Sequence, residues 1–140
     1  MKKDEIGKIE HSLEVKLPDH YKNFLLHYPE ELRELNFHKE FFSEDSDWLI
    51  EINQLLSKGA LPKDLYAIGM DFGGNFFFIK KTDLDETVYF IDHEDASELD
   101  SDEFYWDNIL SPDHKNLNEF KNWLIDFYGD TVKSLTGPNL

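Results

Sequence analysis

Residues 65–79 read LYAIGMDFGGNFFFI, and residues 88–94, which follow a short acidic loop, read VYFIDHE. Together they contain three apolar runs rich in the aromatic and β-branched residues that favour strands. Gly73 and Gly74 can adopt the positive φ that a tight hairpin requires, and Asn75 tolerates the left-handed region. Because the connections between the runs are too short for a helical crossover, we predict an antiparallel meander in the middle of the chain.

Helical patterns precede and follow this meander. Apolar spacing and capping residues predict four helices, over residues 3–14, from Pro18 to Pro29, from Ser46 or Asp47 to Gly59, and over residues 117–128 with Gly129 as the C-cap. We also predict an extended segment over residues 30–45 and a short helical piece near residues 101–109. The expected fold is a single α+β domain, with a central antiparallel sheet flanked by N-terminal and C-terminal helices.

Composition limits the class of protein. The chain has 140 residues, of which 40% are hydrophobic, and it contains no cysteine. This length predicts one domain, and the missing cysteines exclude disulfides, thiolate metal sites and a cysteine nucleophile. No apolar run approaches the roughly 20 residues that span a bilayer, and no apolar leader is visible after Met1. We therefore expect a cytoplasmic protein.

The charge is strongly negative and unevenly placed. Thirty acids against 14 bases give a net charge of −16, which disfavours binding to nucleic acid or to anionic membranes. Residues 82–114 contain twelve acids and no Lys or Arg, and Phe104, Tyr105 and Trp106 interrupt this run. Aromatic side chains beside charge are typical of binding surfaces, although they also anchor solvated loops to a core. Both interpretations stay open from the sequence.

Catalytic and metal-binding patterns have little support. Asp71-Phe72-Gly73 matches the metal-binding tripeptide of kinases, but the chain lacks their phosphate loop and catalytic loop, so turn chemistry explains it better. The run from Asp92 to Asp95 offers four hard-cation ligands, but neighbouring residues of a strand point to opposite faces. A strand running into a solvated loop is the favoured interpretation of that run. We therefore predict no enzyme, no metal and no cofactor.

Four landmarks in this order resemble the SUKH superfamily, which includes a yeast cell-wall-assembly regulator and bacterial relatives. They are Leu17-Pro18-x-x-Tyr21-x-x-Phe24-Leu25, the helix from Trp48 to Leu56 with Asn53, Ile68-Gly69-x-Asp71-x-Gly73-Gly74-Asn75-x-Phe77, and Val88-Tyr89-x-x-Asp92-His93-Glu94. A closing helix with Phe120, Trp123 and Leu124 is also similar, so the resemblance covers about residues 5–129. The chain departs from the family pattern at Phe72 and at Tyr28-Pro29.

The resemblance implies an α+β domain without enzymatic activity. Many bacterial members of this superfamily are immunity proteins that neutralise a cognate polymorphic toxin, often a nuclease, and fungal members are regulatory interaction modules. The leading hypothesis is a binding protein that occludes a basic protein toxin, since an acidic surface is drawn to a basic cleft. The expected contact residues are acids and aromatics of the cation-free run: Asp92, Glu94, Asp95, Asp102, Glu103, Tyr105 and Trp106.

Two alternatives accompany this hypothesis. One is a regulatory protein–protein interaction module, and the other is a metal-dependent hydrolase that uses the acidic loop. Four further residues are expected to shape the hairpin rather than to touch a partner: Asp71, Gly73, Gly74 and Asn75.

Overall fold

The computed structural model describes residues 1–34, 41–58, 62–71, 73–91 and 111–136, with the backbone alone over 127–136. Along these residues lie α1 (Lys3–Leu13), α2 (Asp19–Leu26), α3 (Glu30–Arg33), α4 (Ser46–Ser57), β1 (Leu65–Met70), β2 (Phe76–Lys80), β3 (Val88–Ile91), β4 (Ser111–His114) and α5 (Leu117–Thr136). The strands form one antiparallel sheet in the order β1-β2-β3-β4. The predicted α+β fold, with its central antiparallel sheet between helices, is confirmed.

The meander has the strands that the sequence predicts and one more. β1 to β3 coincide with the three apolar runs, whereas β4 has the sequence Ser-Pro-Asp-His. Proline and aspartate are depleted in strands, so propensity alone does not reveal β4. It pairs with β3 at the edge of the sheet, which is where strands tolerate proline.

The core lies mainly between one face of the sheet and the helices. Alternate strand residues point to opposite faces. Tyr66, Phe77 and Ile79 join a large buried cluster to which α1, α2 and α5 contribute, among others, Ile9, Leu25 and Phe120. On the other face Leu65, Ala67, Phe78 and Ile91 form a second buried cluster, against which Ile52 and Leu56 of α4 pack. The central strand β2 is thus buried on both faces, as its aromatic sequence predicts.

Helix α4 closes the β1 edge of the sheet. Asn53 is 6% exposed, and its side-chain amide accepts a hydrogen bond from Ala67 N (2.8 Å) and donates one to Ala67 O (3.0 Å). The same amide donates to Leu49 O (2.9 Å), one helical turn back. Next along the strand, Ser43 N donates to Ile68 O (2.9 Å). Asn53 thereby supplies the donor and the acceptor that a further strand would otherwise provide.

Three features of the first four helices differ from the predictions, the first being that α2 ends at Leu26 and not at Pro29. Residues 30–33 form the short helix α3 instead of extended chain, because Pro29 precedes a first turn that carries Glu30 and Glu31. The cap of α4 is Asp45 and not Ser46 or Asp47, since its carboxylate accepts from the N–H groups of Asp47 (3.1 Å) and Trp48 (3.2 Å).

The C-terminal helix is longer than predicted. Helix α5 continues through Gly129 to Thr136, so Gly129 does not serve as its C-cap. A glycine inside a helix costs only about 1 kcal/mol relative to alanine, which is too little to end a helix of 20 residues. The helical piece predicted near residues 101–109 lies outside the described residues.

Candidate interaction surface

The acidic segment, residues 92–110, lies outside the described residues. All seven contact residues predicted from the sequence fall in it: Asp92, Glu94, Asp95, Asp102, Glu103, Tyr105 and Trp106. The structure describes the two points that hold this segment, which are the end of β3 at Ile91 and the start of β4 at Ser111.

Both attachment points lie at one end of the sheet. Ile91 is opposite Phe76, the first residue of β2, and Phe90 is opposite Ser111. The turn between β1 and β2 precedes Phe76, so this turn and both ends of the acidic segment share what we call the turn end of the sheet. The loop between β2 and β3, residues 81–87, lies at the opposite end, roughly 15 Å away along β2.

A single carboxylate organises the β1–β2 turn. Asp71 Oδ1 accepts hydrogen bonds from Gly73 N and Asn75 N, both at 2.9 Å, and its Oδ2 accepts one from Asn75 Nδ2 at 3.0 Å. The backbone closes the turn, since Asp71 N donates to Asn75 O (2.9 Å) and Gly74 has a φ of +84°. The four residues assigned to the hairpin thus lie together, and the Asp71 carboxylate is engaged within the turn.

The other end of β4, where the chain leaves the sheet for α5, is packed by aromatic rings. The ring centroid of His114, the last residue of β4, lies 4.9 Å from that of Trp123 and 5.1 Å from that of Phe120. Within the described residues the buried Nε2 atom of His114 has no hydrogen-bond partner. Burial lowers the pKa of His114, against the opposing pull of Asp113 and Glu119. At neutral pH His114 therefore acts as an uncharged packing group between β4 and α5.

The β2–β3 loop at the far end of the sheet is fixed to helix α2. The Asp83 carboxylate accepts from the N–H groups of Asp19 and His20, both at 3.0 Å, at the start of that helix. The hydrogen bond from His20 N, and after it the one from Asp19 N, lowers the pKa of Asp83 and keeps its carboxylate ionised. At the tip of the loop, Leu84 is 97% exposed.

Leu84 was not among the residues selected from the sequence. The signal available there was an apolar residue at the centre of a polar loop between two strands. In the described ranges no group of three or more His, Cys, Asp or Glu side chains converges as a metal site would. No helix within these ranges is both long enough and apolar enough to cross a membrane.

Comparison with protein families shows a match over most of the chain. The model of the SMI1 / KNR4 family (SUKH-1) matches residues 1–123, which include every described strand and the first part of α5. Comparisons with curated proteins and with solved structures returned no match.

Proposed function

Since the chain belongs to the SMI1 / KNR4 family (SUKH-1), we propose that it is a non-enzymatic protein that binds a cognate toxin and neutralises it by occlusion. This family is broadly immunity-protein-like and generally without enzymatic activity. The family match over residues 1–123 is the observation that carries the proposal.

The charge of the chain supports a basic partner. A net charge of −16, with residues 82–114 free of Lys and Arg, complements the basic cleft that a nuclease presents to phosphate. Long-range attraction between such surfaces speeds association by roughly 10- to 1,000-fold at low salt. We therefore propose a toxin with a basic working surface, such as a nuclease, that meets its inhibitor in the cytoplasm.

The acidic segment is the proposed binding site. Both of its ends are held at the turn end of the sheet, at Ile91 in β3 and Ser111 in β4. Within the segment, Tyr105 and Trp106 are the proposed anchors, because buried aromatic residues often dominate the binding energy of an interface. Four acids of the segment, Asp92, Glu94, Asp102 and Glu103, are proposed to guide the partner.

Charge reversal tests this assignment. The partner is first recovered from host lysate at low and at high salt and then purified. We expect the fourfold variant Asp92→Lys, Glu94→Lys, Asp102→Lys and Glu103→Lys to slow association with it by about tenfold or more, with a weaker salt dependence. Stopped-flow or surface-plasmon measurements over a salt series give both quantities.

A matched variant separates local from global charge. Reversing four acids that are exposed on helices, Asp4, Glu31, Glu51 and Asp126, changes the net charge by the same amount. It is expected to slow association less than the fourfold variant of the acidic segment. Equal association rates for the two variants would contradict the acidic segment as the binding site and would show that only the overall charge of the chain speeds association.

Neutralisation is tested in the cell. Co-expression with the recovered partner should restore growth if the partner is toxic, and Tyr105→Ala with Trp106→Ala should weaken this protection. A partner without toxicity, bound with no dependence on salt, would favour a regulatory interaction module instead.

A further inference from the structure

The β2–β3 loop carries a feature that the fold does not explain. Two large apolar side chains are exposed in the described ranges, Leu55 at 61% and Leu84 at 97%. A single exposed leucine is ordinary on a protein surface. Leu84 differs because it projects almost completely from a loop whose conformation is set by other groups.

Hydrogen bonds fix this loop without using the Leu84 side chain. On one side Asp83 accepts from Asp19 N and His20 N, which joins the loop to the start of α2. At the tip, Leu84 N donates to Thr82 Oγ1 (3.1 Å). A polar side chain at position 84 would leave all of these bonds intact. The leucine therefore contributes nothing visible to stability, and burial against another molecule is what would use its apolar surface.

The other side of the loop is fixed in the same manner. Asp85 Oδ1 accepts from Thr87 N (3.0 Å), and its Oδ2 accepts from the hydroxyl of Tyr89 and lies 3.9 Å from Lys80 Nζ. An ordered loop loses little conformational entropy when it binds, which favours its use as a contact.

Charge identifies the kind of partner that this loop fits. Asp83 precedes Leu84, Asp85 and Glu86 follow it, and no Lys or Arg lies between Lys81 and Lys115. An apolar side chain within an acidic rim complements an apolar depression bordered by Lys or Arg. We propose that the β2–β3 loop is a docking surface that inserts Leu84 into such a depression on a basic protein.

This surface is separate from the acidic segment. The loop and the attachment points of that segment lie at opposite ends of the sheet. The inference therefore stands whether or not the acidic segment binds a toxin, and each of the two surfaces can be tested with the other left unchanged.

Photo-crosslinking in the native host provides the test. The probe is the whole chain with p-benzoylphenylalanine in place of Leu84, and the matched control has it in place of Leu55, the other exposed leucine. We expect one basic protein to crosslink at position 84 and not at position 55. The same products at both positions, or none at position 84, would overturn the proposal.

Affinity measurements with the purified crosslinked protein complete the test. We expect Leu84→Ser to weaken binding by about tenfold or more, as truncation of a central apolar contact does, and Leu55→Ser to leave binding unchanged. Circular dichroism and thermal unfolding of Leu84→Ser should match the unsubstituted chain, because this side chain is almost fully exposed. Leu55→Ser should keep the fold with a slightly lower thermal stability, because serine is a weaker helix former than leucine within α4. Equal affinity of Leu84→Ser and the unsubstituted chain would contradict the proposal, even if a crosslink had formed.

Discussion

The two edge strands of the sheet are shielded in opposite ways. At the β1 edge, the side-chain amide of Asn53 forms hydrogen bonds with both the N–H and the C=O of Ala67. The N–H of Ser43 donates a hydrogen bond to the C=O of Ile68. A strand edge offers unpaired donors and acceptors to other chains, and here the protein itself takes them up.

At the β4 edge, in the part of the chain that the structure describes, no further strand is paired. Ser111, Pro112 and Asp113 are exposed there, and the register shifts by one residue at Asp113. Proline has no N–H to offer to a neighbouring strand, and a charge together with a bulge discourages pairing. This edge is shielded by its composition, with little burial.

This difference between the two edges predicts that substitutions at the β1 edge affect the stability of the fold, whereas substitutions at the β4 edge affect association with other chains. Shielding by burial ties the β1 edge to helix α4, so a change at Asn53 should reduce the stability of the whole domain. Shielding by composition leaves the first three residues of β4 exposed, so changes there should alter local opening and self-association instead. β4 is also the strand that holds one end of the acidic segment. The proposed binding surface thus adjoins the less buried edge, which agrees with the tendency of binding regions to have low local stability.

The largest expected effect is at the buried edge. Asn53→Ala removes three hydrogen bonds and leaves the N–H and C=O of Ala67 buried without their partner. We expect the free energy of unfolding to fall by about 2–4 kcal/mol, measured by urea denaturation. Gln54→Ala is the matched control, since this exposed neighbour lies on the same helix and alanine is a somewhat better helix former than glutamine. Similar losses for the two variants would show that the Asn53 amide does not shield the edge.

A smaller effect is expected at the open edge, and it depends on pH. The pKa of His114 is lowered by burial in the folded chain, so the unfolded chain binds more protons. The free energy of unfolding should therefore be highest above the ordinary histidine pKa of about 6.5. It should fall as the pH drops from there to the lower pKa of the folded state. After correction for the intrinsic exchange rate at each pH, the protection of backbone amides should fall in β4 before it falls in β1.

Two variants identify the group responsible for this pH dependence. His114→Phe keeps a ring against Phe120 and Trp123 but cannot be protonated, so the loss of stability between neutral and mildly acidic pH should shrink. His11→Gln, at an exposed position of α1, should leave it unchanged. If His114→Phe keeps the full pH slope, another group carries it.

The sequence predicted those parts of the fold that depend on residues close together along the chain. Gly73, Gly74 and Asn75 indicated the hairpin because a tight turn restricts the residues that can form it. The contacts of Asn53 with β1 and of Asp83 with α2 were not predictable in this way, because their partners are brought close only by the folded chain. The contact residues proposed in the acidic segment were chosen from charge and aromatic content, and they lie outside the described residues. An exposed Leu84 in an acidic loop has no periodic signal to reveal it.

The smallest effect on stability is expected at Pro112 and Asp113, where the comparison of the two edges can be tested most directly. The double variant Pro112→Val, Asp113→Val restores an N–H, removes a charge and adds two residues that favour strands. The free energy of unfolding should change little, because both positions are exposed. Self-association should increase with protein concentration in sedimentation velocity, since the β4 edge then becomes a template for another chain.

Asp126→Val provides the control for this variant. It makes the same charge change and also adds an apolar side chain, but at an exposed position of helix α5. If both variants associate equally, added hydrophobicity alone is responsible and composition does not shield β4. If only the double variant associates, Pro112 and Asp113 have the role at this edge that Asn53 has at the other. The poor strand propensity that hid β4 from sequence analysis would then be the property that keeps the chain from pairing with itself.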